Sequence, residues 1–212
     1  MKIFISYASQ DKDLVGELKR CLEDLCAVDV FVAHDDISVS AEWMDVILSN
    51  IDSCSVFIPF ITPSFFESEW TDQETGYALA KGAKIIPINA GGLPYGFIKK
   101  WQALQLKDVP GACIVIIESL IEDSRLTERT LEALISAFGK SNSYASAGNK
   151  LEFLLKYENK LSRRHKNEIV SYSSINAQIY QGWKSRGLIE GFIRKNREEL
   201  DEKIVSRVLK KR

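Results

Sequence analysis

Ser55-Val56-Phe57-Ile58-Pro59-Phe60-Ile61, followed by Thr62-Pro63-Ser64, is the stretch on which the fold turns. The run Ser55–Ile61 is nearly all apolar and does not alternate, as a strand facing water on one side would. It reads as a strand covered on both faces, the condition of a strand inside a parallel sheet flanked by helices. Thr62 and Pro63 stop it, and Pro suits a helical first turn. The spacing predicts a helix over Pro63–Lys81, irregular in its first turn and ended by Gly82.

Working outward, Lys2-Ile3-Phe4-Ile5-Ser6-Tyr7 reads as a short buried strand. Ser9, Gln10 and Asp11 then offer helix N-caps. Leu14, Leu18, Cys21, Leu22 and Leu25 recur at helical spacing, so Asp11–Leu25 is an amphipathic helix. Val28–Ala33 is a second strand, His34–Ala41 a polar loop and Glu42–Ile51 a helix. On the other side, Lys84–Ile88 is a fourth strand, Gly91-Gly92-Leu93-Pro94 a loop, Phe97–Leu104 a short helix and Cys113–Ile117 a fifth strand. Strands alternating with helices predict an α/β fold, a five-stranded parallel sheet with helices on both faces. Ligands in such sheets bind outside the carboxyl ends of the strands. Those ends carry Tyr7–Asp11, His34–Trp43, Thr62–Trp70 and Asn89–Tyr95.

After Ser124 the pattern changes. Thr127–Phe138, Asn149–Tyr157, Ser162–Tyr172, Ala177–Trp183 and Leu188–Leu209 read as helices with no further strand, and Gly139–Gly148 as a turn or capping segment. The expected organisation is an α/β domain over 1–122 and an all-α domain over 123–212. Charge divides similarly. Up to Ser124, 9 Lys and Arg face 19 Asp and Glu, a balance of −10; from Arg125 onward 19 face 10, a balance of +9. Such a split suggests two units with different tasks. The basic tail suits an acidic partner or the acidic half of another copy. A nucleic-acid partner is not expected, because it would rest on charge alone. No apolar run approaches the ~20 residues that span a bilayer, and no signal peptide is evident, so a cytoplasmic location without membrane attachment is expected. Cys21, Cys26, Cys54 and Cys113 show no CxxC spacing and read as small hydrophobes in a reducing compartment. They and the distant His34 and His165 give no zinc-ligand pattern, and no metal is expected.

Several chemistries lack their motifs. There is no GxGxxG after the first strand, no GxxxxGK[ST] and no GxSxG. A receiver-type phosphoacceptor would need acidic strand ends, where this chain has Ser6-Tyr7 and Ile61-Thr62. What remains is chemistry with one or two carboxylates, or none. Trp70 and Glu74, i and i+4 on the helix after the third strand, put an indole and a carboxylate on one face.

Lys2–Tyr7 with Ala8-Ser9-Gln10-Asp11, Val30-Phe31 with His34-Asp35-Asp36-Ile37, and Phe57–Pro63 with Ser68-Glu69-Trp70 and Glu74 together resemble a TIR (Toll/interleukin-1 receptor/resistance) domain. The likeness spans about Met1 to Ile117 and is nearest to prokaryotic NAD-cleaving TIR proteins, such as the TIR subunit of Thoeris anti-phage systems. The resemblance implies a flavodoxin-like sheet and an NAD+ glycohydrolase or ADP-ribose cyclase that releases nicotinamide. NAD+ is then substrate, with no cofactor, and the product is a cyclic or modified ADP-ribose signal sensed by a downstream effector. Glu74 matches the family's catalytic glutamate and Trp70 its pocket wall. Trp43 matches an aromatic position that stacks on the nucleotide, and Tyr7, Ala8 and Ser9 the ribose and phosphate side. Asp36 and Ile37 match a loop used for assembly contacts. The resemblance also implies a homo-oligomer formed through TIR domains.

Two features depart from the family. The basic residue some members carry after the first strand is replaced by Ala8-Ser9, and the loop lacks the Arg-Pro-Gly of plant relatives. Two other readings are a non-catalytic TIR–TIR signalling adaptor and a nucleoside-processing enzyme such as a deoxyribosyltransferase. Those adaptors commonly lack a glutamate where this chain has Glu74.

Overall fold

β1 (Lys2–Ser6) is held in parallel register between β2 (Asp29–Val32) and β3 (Val56–Ile61), with Phe4 opposite Phe31 on one side and Phe57 on the other. The three rings form a stripe across the sheet, with centroids 5.2 and 5.4 Å apart. Cross-strand aromatic pairs of this kind fix register, because a one-residue slip would turn each ring to the opposite face. The structure, a computed structural model, describes residues 1–32 and 43–210. All six residues of β3 are buried, as its unbroken apolar run requires.

β3 next pairs with β4 (Lys84–Ile85) and β5 (Ile88–Asn89), and β5 with β6 (Leu104–Gln105), all in parallel. The order is β2-β1-β3-β5-β6 with β4 beside β3. The predicted single strand Lys84–Ile88 is thus two short pieces in one register. Ile85 lies opposite Phe57 and Ile88 opposite Phe60, so Pro87 falls opposite Pro59. Neither proline has an N–H, and the ladder is interrupted there.

α1 (Lys12–Leu25) follows a 3-10 turn at Ser9–Asp11 and buries Val15, Leu18 and Leu22. Leu14, predicted on that stripe, is exposed. α2 (Trp43–Ser53) buries Ile47 and Ile51. The segment predicted as one helix from Pro63 is a 3-10 turn at Ser64–Glu67 followed by α3 (Thr71–Ala80). Gly82, at φ 75°, supplies the left-handed residue that ends α3. In place of the expected helix Phe97–Leu104 stands a 3-10 turn at Gly96–Lys100, with Leu104 already in β6.

The predicted fifth strand Cys113–Ile117 is a correction: it lies inside α4 (Val109–Glu122). Cys113, Ile116, Ile117, Leu120 and Ile121 are buried while Ile114 and Val115 are exposed, which is helical spacing. Periodicity cannot separate a helix from a strand in so short an apolar run. The signal sits upstream, where Asp108 accepts the Gly111 N–H at 2.7 Å as a helix start and Pro110 occupies the first turn. The fifth strand position belongs to two-residue β6.

The chain divides into two compact units, Met1–Asp24 with Val28–Leu120, and Leu25–Ala27 with Ile121–Arg212. In the second, α5 (Thr127–Gly139) packs on α6 (Tyr144–Leu155) and α7 (Arg163–Ile175), and α8 (Ala177–Tyr180), α9 (Trp183–Lys195) and α10 (Glu202–Leu209) complete the bundle. Leu131, Ile135, Phe138, Leu151, Leu154 and Ile169 are fully buried within it. Tyr144–Gly148, read as turn, is helical from Tyr144 onward, and Ser143 caps it by accepting the Ser146 N–H. The stretch Leu188–Leu209 is two helices, with Asp201 capping the second.

Candidate functional site

Ser6 closes β1 at the carboxyl edge of the sheet and is buried. Its Oγ donates to Glu74 Oε2 at 2.5 Å. Glu74 reaches it from the first turn of α3 and is only 7% exposed. Burial disfavours the charged carboxylate and pushes its pKa from 4.5 up to about 7, against the opposing pull of the Ser6 hydroxyl. A buried carboxyl group poised near neutrality beside the end of a central strand is a candidate for function.

Hydrogen bonds hold the surrounding loops. Thr62 Oγ1 donates to Asp11 Oδ2 at 2.7 Å and Ser64 Oγ to Gln10 Oε1 at 2.8 Å, tying the segment after β3 to the segment after β1. Thr71 Oγ1 donates to the Phe65 carbonyl at 2.8 Å, binding the start of α3 to the preceding 3-10 turn. Gly92 approaches so closely that a Cβ there would lie 2.8 Å from Ile61 and Phe66 side-chain carbons.

Between these segments lies a cleft of about 290 Å³. Tyr7, Ala8 and Ser9 line one side; Trp43, Trp70 and Glu74 line it from α2 and from the start of α3. The two indoles are partly exposed, at 36% and 39%. The structure therefore brings together six of the residues singled out in the sequence. Asp36 and Ile37 lie outside the described residues. Gln10, Ser64, Glu67 and Ser68 also line the cleft, and Ile5 contributes to its floor. The sequence places Gln10, Ser64, Glu67 and Ser68 within the strand-end segments Tyr7–Asp11 and Thr62–Trp70 without giving any of them a role, and sequence reasoning missed Ile5 and Ser6. Ser6 carried a signal as the polar end of an otherwise apolar strand. Periodicity did not single out Glu67 and Ser68 within Thr62–Trp70, because the chain leaves helical geometry between Glu67 and Thr71.

All four cysteines are free thiols. Among the described residues one group gathers potential metal ligands, Glu128, Glu132 and His165. His165 Nδ1 accepts the Ser162 N–H in a capping box, which leaves the ring proton on Nε2, 3.3 Å from Glu128 Oε1. Glu132 is engaged by Arg164. That arrangement is a helix cap at Ser162–His165 with an Arg164–Glu132 ion pair beside it.

A family model described as the TIR domain matches residues 3–112, just over half of the chain. Among solved structures, the TIR domain of the Toll-related receptor TRR-2 from the lower metazoan Hydra magnipapillata is similar at 22% identity and a TM-score of 0.45, over 58% of this chain and 97% of that one. No curated protein matches the chain.

Proposed function

The chain belongs to the TIR domain family, and from that premise we propose that it is an NAD+ glycohydrolase or ADP-ribose cyclase whose catalytic residue is Glu74. TIR domains serve signalling or NAD+ cleavage; the observation that favours cleavage here is the buried Glu74 carboxyl, held by Ser6 at the base of a cleft with two indoles.

The chemistry asks little of the protein. Nicotinamide leaves from a pyridinium nitrogen that is already cationic, so the C1′–N bond breaks with its electron pair going to nitrogen and no acid is required. Positive charge develops on the ribose C1′ and ring oxygen. A fixed carboxylate that accepts hydrogen bonds from the ribose hydroxyls stabilises that state more than the ground state. Trp43 and Trp70 offer π faces to the pyridinium ring and to the cationic sugar. Tyr7, Ala8 and Ser9 border the ribose and phosphate side. Water attack at C1′, releasing a proton, gives ADP-ribose; attack by a nucleophile of the same nucleotide gives a cyclic product.

The finer reading is a prokaryotic defence enzyme of the Thoeris kind, whose nucleotide product is a second messenger for a downstream effector in anti-phage immunity. It works as a homo-oligomer through TIR contacts, to which the Asp36–Ile37 loop belongs. No helix among the described residues is long and apolar enough to cross a membrane. The test is incubation of the purified chain with NAD+ and chromatography of nicotinamide. Wild type releases it, and Glu74→Gln lowers the rate on the order of 10²–10³-fold, the usual cost of removing one transition-state electrostatic contact. Equal release by the variant removes Glu74 from the mechanism.

A further inference from the structure

Among the described residues the cleft is lined by two carboxyl groups and two indoles and by no cation. None of the described lining residues is Lys, Arg or His, while Glu67 and Glu74 both line it. Between Arg20 and Lys81 the sequence has 12 Asp and Glu, no Lys or Arg and one His, His34, and that span includes α2, β3 and all of α3. Lys2, the one cation ahead of the cleft-lining segment, is spent at the amino end of β1, where Nζ meets Asn50 at 2.8 Å and Asp29 at 3.6 Å. A diphosphate carries two negative charges, and the described lining gives it no side-chain cation and two carboxyl groups. The pyridinium nucleoside half is the reverse: a cation with a flat ring, suited to two indole faces and two carboxyl groups. At about 290 Å³ the cleft sits at the small end of ligand sites.

Resting on the cleavage reading above, we infer that the recognised unit is the cationic N-ribosylpyridinium nucleoside, so that phosphate-free pyridinium nucleosides are substrates on at least equal terms with NAD+. The bond broken is the same, C1′–N, with the electron pair leaving on the neutral base and water supplying the hydroxyl at C1′. Glu67 then acts as a specificity residue: it favours a cationic substrate over an anionic one.

The test measures nicotinamide release from nicotinamide riboside and from NAD+ by the full-length chain, as kcat/KM in about 0.01 M and about 1 M salt, where screening lengths are about 30 and 3 Å. The expected riboside-to-NAD+ ratio is one or more in low salt. It falls at least about threefold in high salt, as attraction of the cation and repulsion of the anion are both screened. Glu67→Gln lowers the low-salt ratio by about threefold, the effect of one charge several ångströms away in a water-like medium. A second readout needs no turnover: quenching of tryptophan fluorescence gives tighter binding for the riboside than for its uncharged dihydro form. Turnover of NAD+ with no turnover of the riboside overturns this inference and leaves the cleavage reading standing. So does a tenfold preference for NAD+ that salt does not alter, which would assign the diphosphate to backbone donors. Equal binding of the charged and uncharged nucleosides also overturns it. Release of nicotinamide from neither compound overturns both readings.

Discussion

Glu74 carries opposing demands. Its pKa is raised from 4.5 to about 7 by burial, so the folded protein prefers it protonated while the proposed cleavage needs it ionised. The sign for stability follows. Below pH 4.5 the carboxyl is neutral in folded and unfolded chains and there is no penalty. The penalty grows as pH rises toward 7 and is complete above it. A shift of that size corresponds to about 3 kcal/mol. Glu74→Gln is therefore expected to be more stable than wild type at pH 8, by up to about 3 kcal/mol in urea unfolding, with the difference vanishing below pH 4.5. A variant that is inactive yet stabilised is the signature of a residue kept for function. The Ser6 hydroxyl restrains the shift, so Ser6→Ala raises the Glu74 pKa further.

At the scale of elements, Phe57 is fully buried in β3 and stacks on Phe4. Phe57→Ala is expected to cost about 3–5 kcal/mol in thermal or urea unfolding. Gly92→Ala places a methyl group 3.0 Å from the Thr62 carbonyl and closer still to Ile61 and Phe66. It is expected to cost about 1–3 kcal/mol and to lower activity by displacing the segment after β3. The elements differ in how openly the sequence announces them. β1 and β3 are apolar runs bounded by turn residues, and their buried faces leave one reading. Lys84–Ile88 hides its break, because the gap arises from two prolines that meet only across the sheet. Cys113–Ile117 fits a strand or a helix equally well until Asp108 and Pro110 are weighed. The cleft repeats the contrast. Trp70 stands at the N-cap of the helix whose first turn carries Glu74, and their spacing shows it, whereas Ser6 meets Glu74 across 68 positions. Glu67 lies in a 3-10 turn that no periodicity reveals.

For the whole molecule, the balance of −10 up to Ser124 and +9 beyond it is a strong asymmetry for a chain whose net charge is −1. In the proposed homo-oligomer these opposite fields favour association between copies, and the association is expected to weaken as salt rises from about 0.05 M to about 0.5 M in sedimentation velocity. Salt-independent association would remove the electrostatic part of that account. Function at this scale still returns to one carboxyl group. The most direct measurement is the pH dependence of nicotinamide release from NAD+ by wild type and Ser6→Ala, with Glu74→Gln as reference. The account predicts a wild-type rate that rises through about pH 7, a rise displaced to higher pH in Ser6→Ala, and a low, flat profile in Glu74→Gln. Release by Glu74→Gln at the wild-type rate across the same range would contradict it.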